Sequence, residues 1–451
     1  MPSMKISCFK AYDVRGRLPD ELNEEIAYRI GRGYAEFVKP KKVVVGRDIR
    51  LSSAQLRDAV TKGLTDSGVD VYDIGLCGTE GVYFATFHER MDGGIMVTAS
   101  HNPPDYNGMK FVRERAKPIS SDTGLVEIRA HAERGEFVSP TRPGKRQELE
   151  TGGAYLEHLL GYVELDRLKP LRIVVNAGNG GAGLIIDQLE RHLPFEFIKL
   201  FNQPDGHFPN GVPNPMLEEN RAPTIEAIRK EKANLGIAWD GDYDRCFFFD
   251  EQGRFIEGYY IVGLLASVFL KRERGAKIVH DPRLTWNTLD LVQSLGGKPV
   301  LCKSGHAFIK EKMRTEDAAY GGEMSAHHYF REFSYADSGI IPWLLVTQAI
   351  CESGKPLSAL VDERMRLFPA SGEINRQLKD GKAAIKRIED QYGPEALKVD
   401  HIDGLSVEFE TWRFNLRTSN TEPLVRLNVE SRGDEALMRA KTDELLRALG
   451  D

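Results

Sequence analysis

At 451 residues the chain is too long for one core, and at roughly 100–200 residues per domain it divides into three or four. Its hydrophobic fraction of 41% and charged fraction of 28% are ordinary for a globular protein in water. The net charge of −6 excludes a general electrostatic hold on nucleic acid or an anionic membrane, so local cations must capture any anionic ligand. The five cysteines (Cys8, Cys77, Cys246, Cys302 and Cys351) are odd in number and far apart, with no C-x-x-C pair. That pattern argues against a disulfide framework or a zinc site and for a reducing compartment. The first residues, MPSMKISCFKAYD, contain no apolar signal core. The longest apolar runs, Tyr259–Leu270 and Gly339–Ile350, fall short of the ~20 residues a spanning helix needs. The expectation is a cytoplasmic protein with neither nucleic acid nor membrane as partner.

In chain order, Phe9–Val14 reads as a strand ending in Arg15-Gly16. Leu22, Ile26, Ile30, Tyr34 and Val38 then recur every four residues, as on an amphipathic helix. Val43–Val45 is a strand, followed by the polar loop Gly46–Ser53, a helix to about Asp66 and the strand Val69–Ile74. This β-α-β pattern returns twice. Arg172–Val175 leads through the loop AGNGGAG to a helix from about Leu184 to His192 and then Phe195–Leu200. Lys277–His280 leads through Asp281–Trp286 to a helix around Thr288–Leu295 and then Pro299–Cys302. After each unit another short apolar run opens into an unusual polar loop: IMVTASHN, GIAWDGDYDR and AYGGEMSAHH. The reading is three α/β domains of common plan, each with a functional loop beyond the end of an equivalent strand, where α/β sheets place their ligands. Boundaries fall at the polar segment Ser139–Glu150, near Gln252–Gly258 and near Phe368–Gly372. The last stretch differs in kind, with strands Gly404–Phe409, Trp412–Leu416 and Leu424–Glu430 and a closing helix carrying Met438, Leu445 and Leu449. It is expected to be a small α+β domain. The resulting divisions are 1–148, 149–253, 254–368 and 369–451.

The glycines of Ala177–Gly183 fail the G-x-G-x-x-G spacing, and no G-K-[ST] follows, so a tight strand-to-helix turn is expected there. Ser100 ends an apolar strand and enters a loop stiffened by Pro103 and Pro104, with Lys110 ten residues on. The G-x-S-x-G elbow of a hydrolase is missing, because Ala99 precedes the serine and His101 follows it. Asp240, Asp242 and Asp244 stand at i, i+2 and i+4 after the apolar Ile237-Ala238-Trp239. Three like charges repel unless a cation lies between them, and all-oxygen ligands suit a hard ion, Mg²⁺ or Ca²⁺. An EF-hand is rejected because Arg245 stands where its glycine must be and the flanks read as strands. Glu323, Ser325, His327 and His328 give a glycine-flanked loop the acceptors and donors that sugar hydroxyls require. Lys303-Ser-Gly-His306 closes the third β-α-β unit with another titratable group. Arg417, Ser419, Asn420 and Thr421 join two strands with the donors of a phosphate nest.

Six segments in this order, KAYDVRG, TASHNPPDYNGMK, DGDYDR, KSGHAFIK, GEMSAHH and RTSNTEP, resemble the α-D-phosphohexomutase superfamily from end to end, most closely its bacterial phosphomannomutases of the GDP-mannose pathway. The resemblance implies a four-domain, heart-shaped architecture around a central cleft, with one loop from each domain in the active site. It implies that Ser100 carries a phosphoryl group and that Asp240, Asp242 and Asp244 hold Mg²⁺ together with the serine oxygen. Glu323 and Ser325 match residues that hold sugar hydroxyls, and Arg417, Ser419, Asn420 and Thr421 match the site of the phosphate not being transferred. Tyr12, Arg15, Lys110, Arg245, His306 and His327 match further cleft residues, and Lys110 and His306 are the two candidates for general acid–base work, neither assigned to one role. The implied substrate is a small phosphosugar, mannose 6-phosphate or mannose 1-phosphate. A hexose 1,6-bisphosphate serves as intermediate and activator, and no obligate protein partner is implied. Met324 and His327 are similar to the sugar loops of mannose-accepting members, while a dual-specificity glucose and mannose enzyme is the alternative. A non-catalytic phosphosugar-binding protein would be expected to lack Ser100 or one of the aspartates. A metal-dependent sugar phosphatase would release phosphate and need no bisphosphate.

Overall fold

The four-residue repeat from Leu22 to Val38 forms the helix Glu24–Val38, with Leu22, Ile26, Ile30 and Tyr34 buried and the Asn23 side chain capping the Ile26 N–H at 3.0 Å. The computed structural model describes residues 3–378, 380–418 and 424–450. The chain divides into two units, Met1–Phe255 with Tyr329–Gly354, and Ile256–His328 with Lys355–Asp451.

In the first unit the parallel strands Lys42–Arg47 and Asp70–Leu76 flank the helix Ser53–Thr65, completing the first β-α-β repeat. The strand Gly93–Val97 pairs parallel to the other side of Lys42–Arg47, and Tyr106–Arg113 returns antiparallel beside it. A second sheet has the same plan. Arg172–Asn176 lies between Glu196–Leu200 and Leu235–Trp239, both parallel to it, and Cys246–Phe249 returns antiparallel. In the second unit, Lys277–His280 lies between Lys298–Leu301 and Tyr320–Gly322, again both parallel. Each repeat therefore places its loop-bearing strand directly beside its own first strand, so Ser100, Asp240 and Glu323 leave equivalent positions. The central strands of these sheets are buried on both faces, which is why they read as continuous apolar runs.

The last sheet is antiparallel, ordered Ile374–Gln377, Leu424–Ser431, Trp412–Thr418, Leu405–Glu408, Lys398–Asp400. The helix Glu435–Leu449 packs Met438, Leu445 and Leu449 into its core. Three α/β domains and a C-terminal α+β domain are thus the fold class. Two differences from the sequence reading concern edges. The first strand is Val14–Arg17, and Phe9 contributes only an isolated bridge to Val14, because Lys10 and Asp13 close a turn between them. The edge strands Ile374–Gln377 and Lys398–Asp400 and the helix Gly381–Tyr392 were not anticipated, since the strands are short and mostly polar. The loop Ala177–Gly183 is the expected strand-to-helix turn, with Gly178 and Asn179 both at positive φ before the helix Ala182–Leu189. No helix among the described residues is long and apolar enough to cross a membrane.

Candidate active site

Ser100 sits one turn beyond the strand Gly93–Val97 at φ 47°, a left-handed conformation uncommon for a non-glycine residue and held here by surrounding bonds. Its backbone N–H donates to Thr98 Oγ1 at 2.9 Å, and its hydroxyl donates to Asp240 Oδ2 at 2.8 Å. The approach requires Gly241: a Cβ there would stand 2.6 Å from the Ser100 carbonyl oxygen.

Asp240, Asp242 and Asp244 are buried, and one carboxylate oxygen of each lies within 4.8 Å of the others. Lys110 and Arg245 both reach them. Lys110, from the strand Tyr106–Arg113, donates to Asp242 Oδ2 at 2.7 Å and Asp244 Oδ2 at 2.5 Å. Arg245 donates through Nε to Asp240 Oδ2 at 2.8 Å. Burial opposes the charge on Lys110, but the two aspartates outweigh it and raise its pKa, so the lysine is an ammonium group here. Burial likewise opposes the Asp242 charge, yet Lys110 and Arg15 hold that carboxyl well below the usual range. Asp242 Oδ1 is buried with no hydrogen-bond partner among the described residues. An orphaned carboxylate oxygen in a three-carboxylate cluster fits a hard divalent cation, which takes oxygen ligands.

Three residues that the sequence did not flag shape this cluster. Thr79 opens the helix Thr79–His88, donates its hydroxyl to Asp242 Oδ2 at 2.5 Å, and donates its backbone N–H to the Asp242 carbonyl at 3.1 Å. Tyr243, also left-handed at φ 44°, accepts the Gly78 N–H at 2.9 Å. His101 accepts from Arg245 Nη2 at 2.5 Å through Nδ1 and lies 3.2 Å from the Ser100 hydroxyl. Burial, then Arg245 and Arg15, push the His101 pKa well down, so the ring is neutral, with its proton on Nε2 because a guanidinium only donates. Arg15 leaves the first strand to donate to the Thr98 carbonyl and pairs with Asp13 at 3.0 Å, while Tyr12 is half-buried in the preceding turn.

In the second unit, Glu323 follows the strand Tyr320–Gly322 and accepts the Gly305 N–H at 2.8 Å. Arg283 is buried and holds both Asp281 oxygens at 3.0 Å, the Ser325 hydroxyl at 3.1 Å and Glu323 Oε1 at 3.4 Å. The Met324 N–H donates to Asp281 Oδ2 at 2.8 Å, and its sulfur turns inward to the Asn428 amide at 3.3 Å. His306 opens the helix His306–Glu316, its ring 6.5 Å from that of the half-buried His327. His328 is buried against the Tyr320 hydroxyl at 2.7 Å, and burial lowers its pKa to about 3, so this second histidine is a core residue. Arg417 meets Glu373 at 3.0 Å, and Glu373 also meets Arg283 at 3.5 Å and Arg426 at 3.4 Å. One carboxylate therefore joins the arginine of the strand Trp412–Thr418 to the arginine that holds the Glu323 loop. Ser419, Asn420 and Thr421 lie outside the described residues.

Four family models match the chain in order. They describe phosphoglucomutase/phosphomannomutase α/β/α domains I, II and III at residues 7–139, 153–253 and 257–368, and the C-terminal domain at 373–447. A phosphomannomutase of Escherichia coli is 60% identical over 453 residues, covering 99% of each chain. Phosphohexose mutases of Xanthomonas campestris are also 60% identical, over 99% of this chain and 100% of theirs. Among solved structures, a phosphoglucomutase/phosphomannomutase family protein of Burkholderia thailandensis superposes with TM-score 0.89 at 33% identity, covering 98% of this chain and 97% of that one. A Paramecium phosphoglucomutase superposes at 0.80 with 16% identity, over 99% of this chain and 96% of its own, a likeness of fold alone.

Proposed function

We propose that this chain, which belongs to the phosphoglucomutase/phosphomannomutase family, is a phosphomannomutase that interconverts mannose 6-phosphate and mannose 1-phosphate through a phosphorylated Ser100. The observation that carries the reading is the contact of the Ser100 hydroxyl with Asp240 at the mouth of the three-aspartate cluster. A lone loop serine would gain nothing from three buried carboxylates. A serine that carries about two negative charges as its phosphate ester requires the counter-charge they gather.

In the proposed cycle the phosphorus–Oγ bond of phosphoserine breaks as a bond forms to the free hydroxyl of the hexose phosphate, whose proton leaves to a base. The resulting 1,6-bisphosphate turns around, its other phosphoryl returns to Ser100, and the isomeric monophosphate departs. Asp240, Asp242 and Asp244 would hold Mg²⁺, which when bound neutralises charge on the transferring phosphoryl group. Lys110 and Arg245 already face these carboxylates and offer further donors to a transferring phosphoryl group. His306, at the start of its helix, and Lys110 would serve as the acid and base candidates. Glu323 and Ser325 would take the sugar hydroxyls, with Tyr12 and His327 as further contacts, while Arg417 with Ser419, Asn420 and Thr421 would anchor the other phosphate. These loops belong to the four divisions 1–148, 149–253, 254–368 and 369–451, a reading supported by the spans of the family matches. The substrate is a small phosphosugar, a hexose 1,6-bisphosphate is the activator, the setting is the cytoplasm, and the product supplies GDP-mannose for surface polysaccharide.

A dual-specificity phosphomannomutase/phosphoglucomutase is the second reading. Relatives named phosphomannomutase and relatives named phosphohexose mutases stand at the same 60% identity. The inward turn of Met324 also leaves its side chain a packing element in this structure. The experiment is the ratio of kcat/KM for mannose 1-phosphate and glucose 1-phosphate, with Mg²⁺ and a trace of hexose 1,6-bisphosphate. A strong mannose preference supports the first reading and near-equal values the second. Steady release of inorganic phosphate, or full turnover by Ser100→Ala, would refute the mutase.

A further inference from the structure

The loop from Thr98 to Asp105 runs between two strands of the first sheet, outside its ladder, so its carbonyls need partners from elsewhere. Three of them, together with that of Tyr106 at the head of the next strand, converge on one side chain. Arg50 Nη1 donates to the Pro103 carbonyl at 2.7 Å and the Tyr106 carbonyl at 2.9 Å. Arg50 Nη2 donates to the Ser100 carbonyl at 3.0 Å and the Asn102 carbonyl at 2.5 Å. Arg50 is 2% exposed, and Phe208 lies 5.3 Å from the guanidinium carbon. Its own loop is fixed in turn. Asp48 accepts from the Arg50 N–H at 3.0 Å and the Ser53 hydroxyl at 2.5 Å, and Asn107 donates to Ser52 and Ser53 at 2.8 and 2.9 Å.

We infer that Arg50 is a positioning residue for phosphoryl transfer: it is the template over which the Ser100 loop is folded, and it holds the reacting oxygen in line. The inference rests on the phosphoserine reading. All four terminal N–H bonds of the guanidinium are spent on carbonyls of residues 100 to 106, a fork that lysine, with three donors at one point, cannot reproduce. The Ser100 backbone is left-handed, and such a conformation persists only where its surroundings over-determine it. Arg50 reaches the carbonyl of that same residue and two carbonyls within three residues after it. It bonds neither Asp240, Asp242 and Asp244 nor the Ser100 hydroxyl, so its effect is on placement and not on chemistry.

The test begins with wild-type protein and glucose 1,6-bisphosphate with Mg²⁺, whose intact mass should gain one phosphoryl group, a gain absent in Ser100→Ala. Its absence from the wild type would refute the phosphoserine reading independently of Arg50. Arg50→Lys and Arg50→Ala are then compared with wild type. Displacement of a reacting group by about 1 Å costs on the order of 100-fold, so kcat is expected to fall about 100-fold with KM changed less than about threefold. The single-turnover rate of Ser100 phosphorylation should fall in parallel, and millimolar guanidinium ion should restore part of the Arg50→Ala rate. A kcat for folded Arg50→Lys within about threefold of wild type, well short of that loss, overturns the inference. So does a rise in KM in place of the fall in kcat, or loss of fold in both variants with no recovery on adding guanidinium.

Discussion

Lys110 Nζ bridges Asp242 and Asp244, at 2.7 and 2.5 Å, so a strand of the first sheet supplies the cation for the acidic loop of the second. The lysine answers the repulsion that three neighbouring aspartates raise, and its positive charge stands beside the carboxylates that would hold a divalent ion.

Lys110→Met should therefore separate binding from catalysis. Removing a like charge close to the cation should tighten Mg²⁺ binding about tenfold, the order of a charge pair near a protein surface. Turnover should nevertheless fall about 100-fold, because a positioned cation and proton donor is lost. Titration calorimetry with Mg²⁺ beside steady-state kinetics reads both. Weaker metal binding in the variant would contradict that repulsion between lysine and metal. Chelation should silence the wild type, with Mg²⁺ restoring it.

Thr79→Val tests the support behind the metal loop. The valine keeps the shape and removes the bond to Asp242 Oδ2, freeing a carboxylate that the hydroxyl orients. Outer-shell partners of metal ligands are worth about 10–100-fold in affinity, so the Mg²⁺ concentration for half-maximal activity should rise about tenfold with kcat at saturation nearly kept. An unchanged Mg²⁺ requirement would remove Thr79 from the site.

The fold was legible where burial writes a pattern. Strands covered on both faces read as the apolar runs Val43–Val45, Ile173–Val175 and Ile278–Val279, and the loops after their neighbours were found because their residue types are costly without a function. Thr79 and Tyr243 were not legible, since their importance lies in bonds made 163 and 165 residues away. Tyr243 stands between two candidate ligands and carries no chemistry of its own in the sequence, yet a Cβ at Gly78 would stand 2.3 Å from its ring, so ring and glycine are fitted to each other. Arg50 lies in a polar loop that looks solvated in sequence and is buried in the fold. Arg283 was equally hidden: nothing local says that it will hold Glu323 and Ser325 forty residues on.

Arg283→Lys addresses that sugar loop. Lysine keeps the charge but cannot span Asp281, Glu323 and Ser325 as the planar fork does. Misplaced hydroxyl-binding groups should raise KM for both hexose phosphates about tenfold, each hydrogen bond to a charged group being worth about 1.5–3 kcal/mol. Phosphorylation of Ser100 by acetyl phosphate or another small donor, which needs no sugar contact, should be unaffected. A uniform loss of both reactions would point to a damaged fold.

Glu80 gives the first unit a pH-dependent stability. The carboxyl is fully buried among neutral groups, accepting from the Tyr155 hydroxyl and from the Gly339 N–H at 2.9 Å, with Ser338 alongside. Burial raises its pKa from 4.5 to about 8, against the lowering effect of these bonds. Between those two values the folded chain holds a proton that the unfolded chain has released. The contribution is whole below the unfolded value and is lost as pH climbs toward the folded one. Across that window stability falls as pH rises, at up to about 1.4 kcal/mol per pH unit for one proton. Glu80→Gln keeps the shape and an acceptor but cannot ionise. Urea midpoints measured from pH 5 to pH 8 should decline more steeply for the wild type than for the variant, and the variant should be the more stable of the two at pH 8. Parallel curves would mean that Glu80 is ionised in the folded chain, with a cation-free pocket carrying its charge.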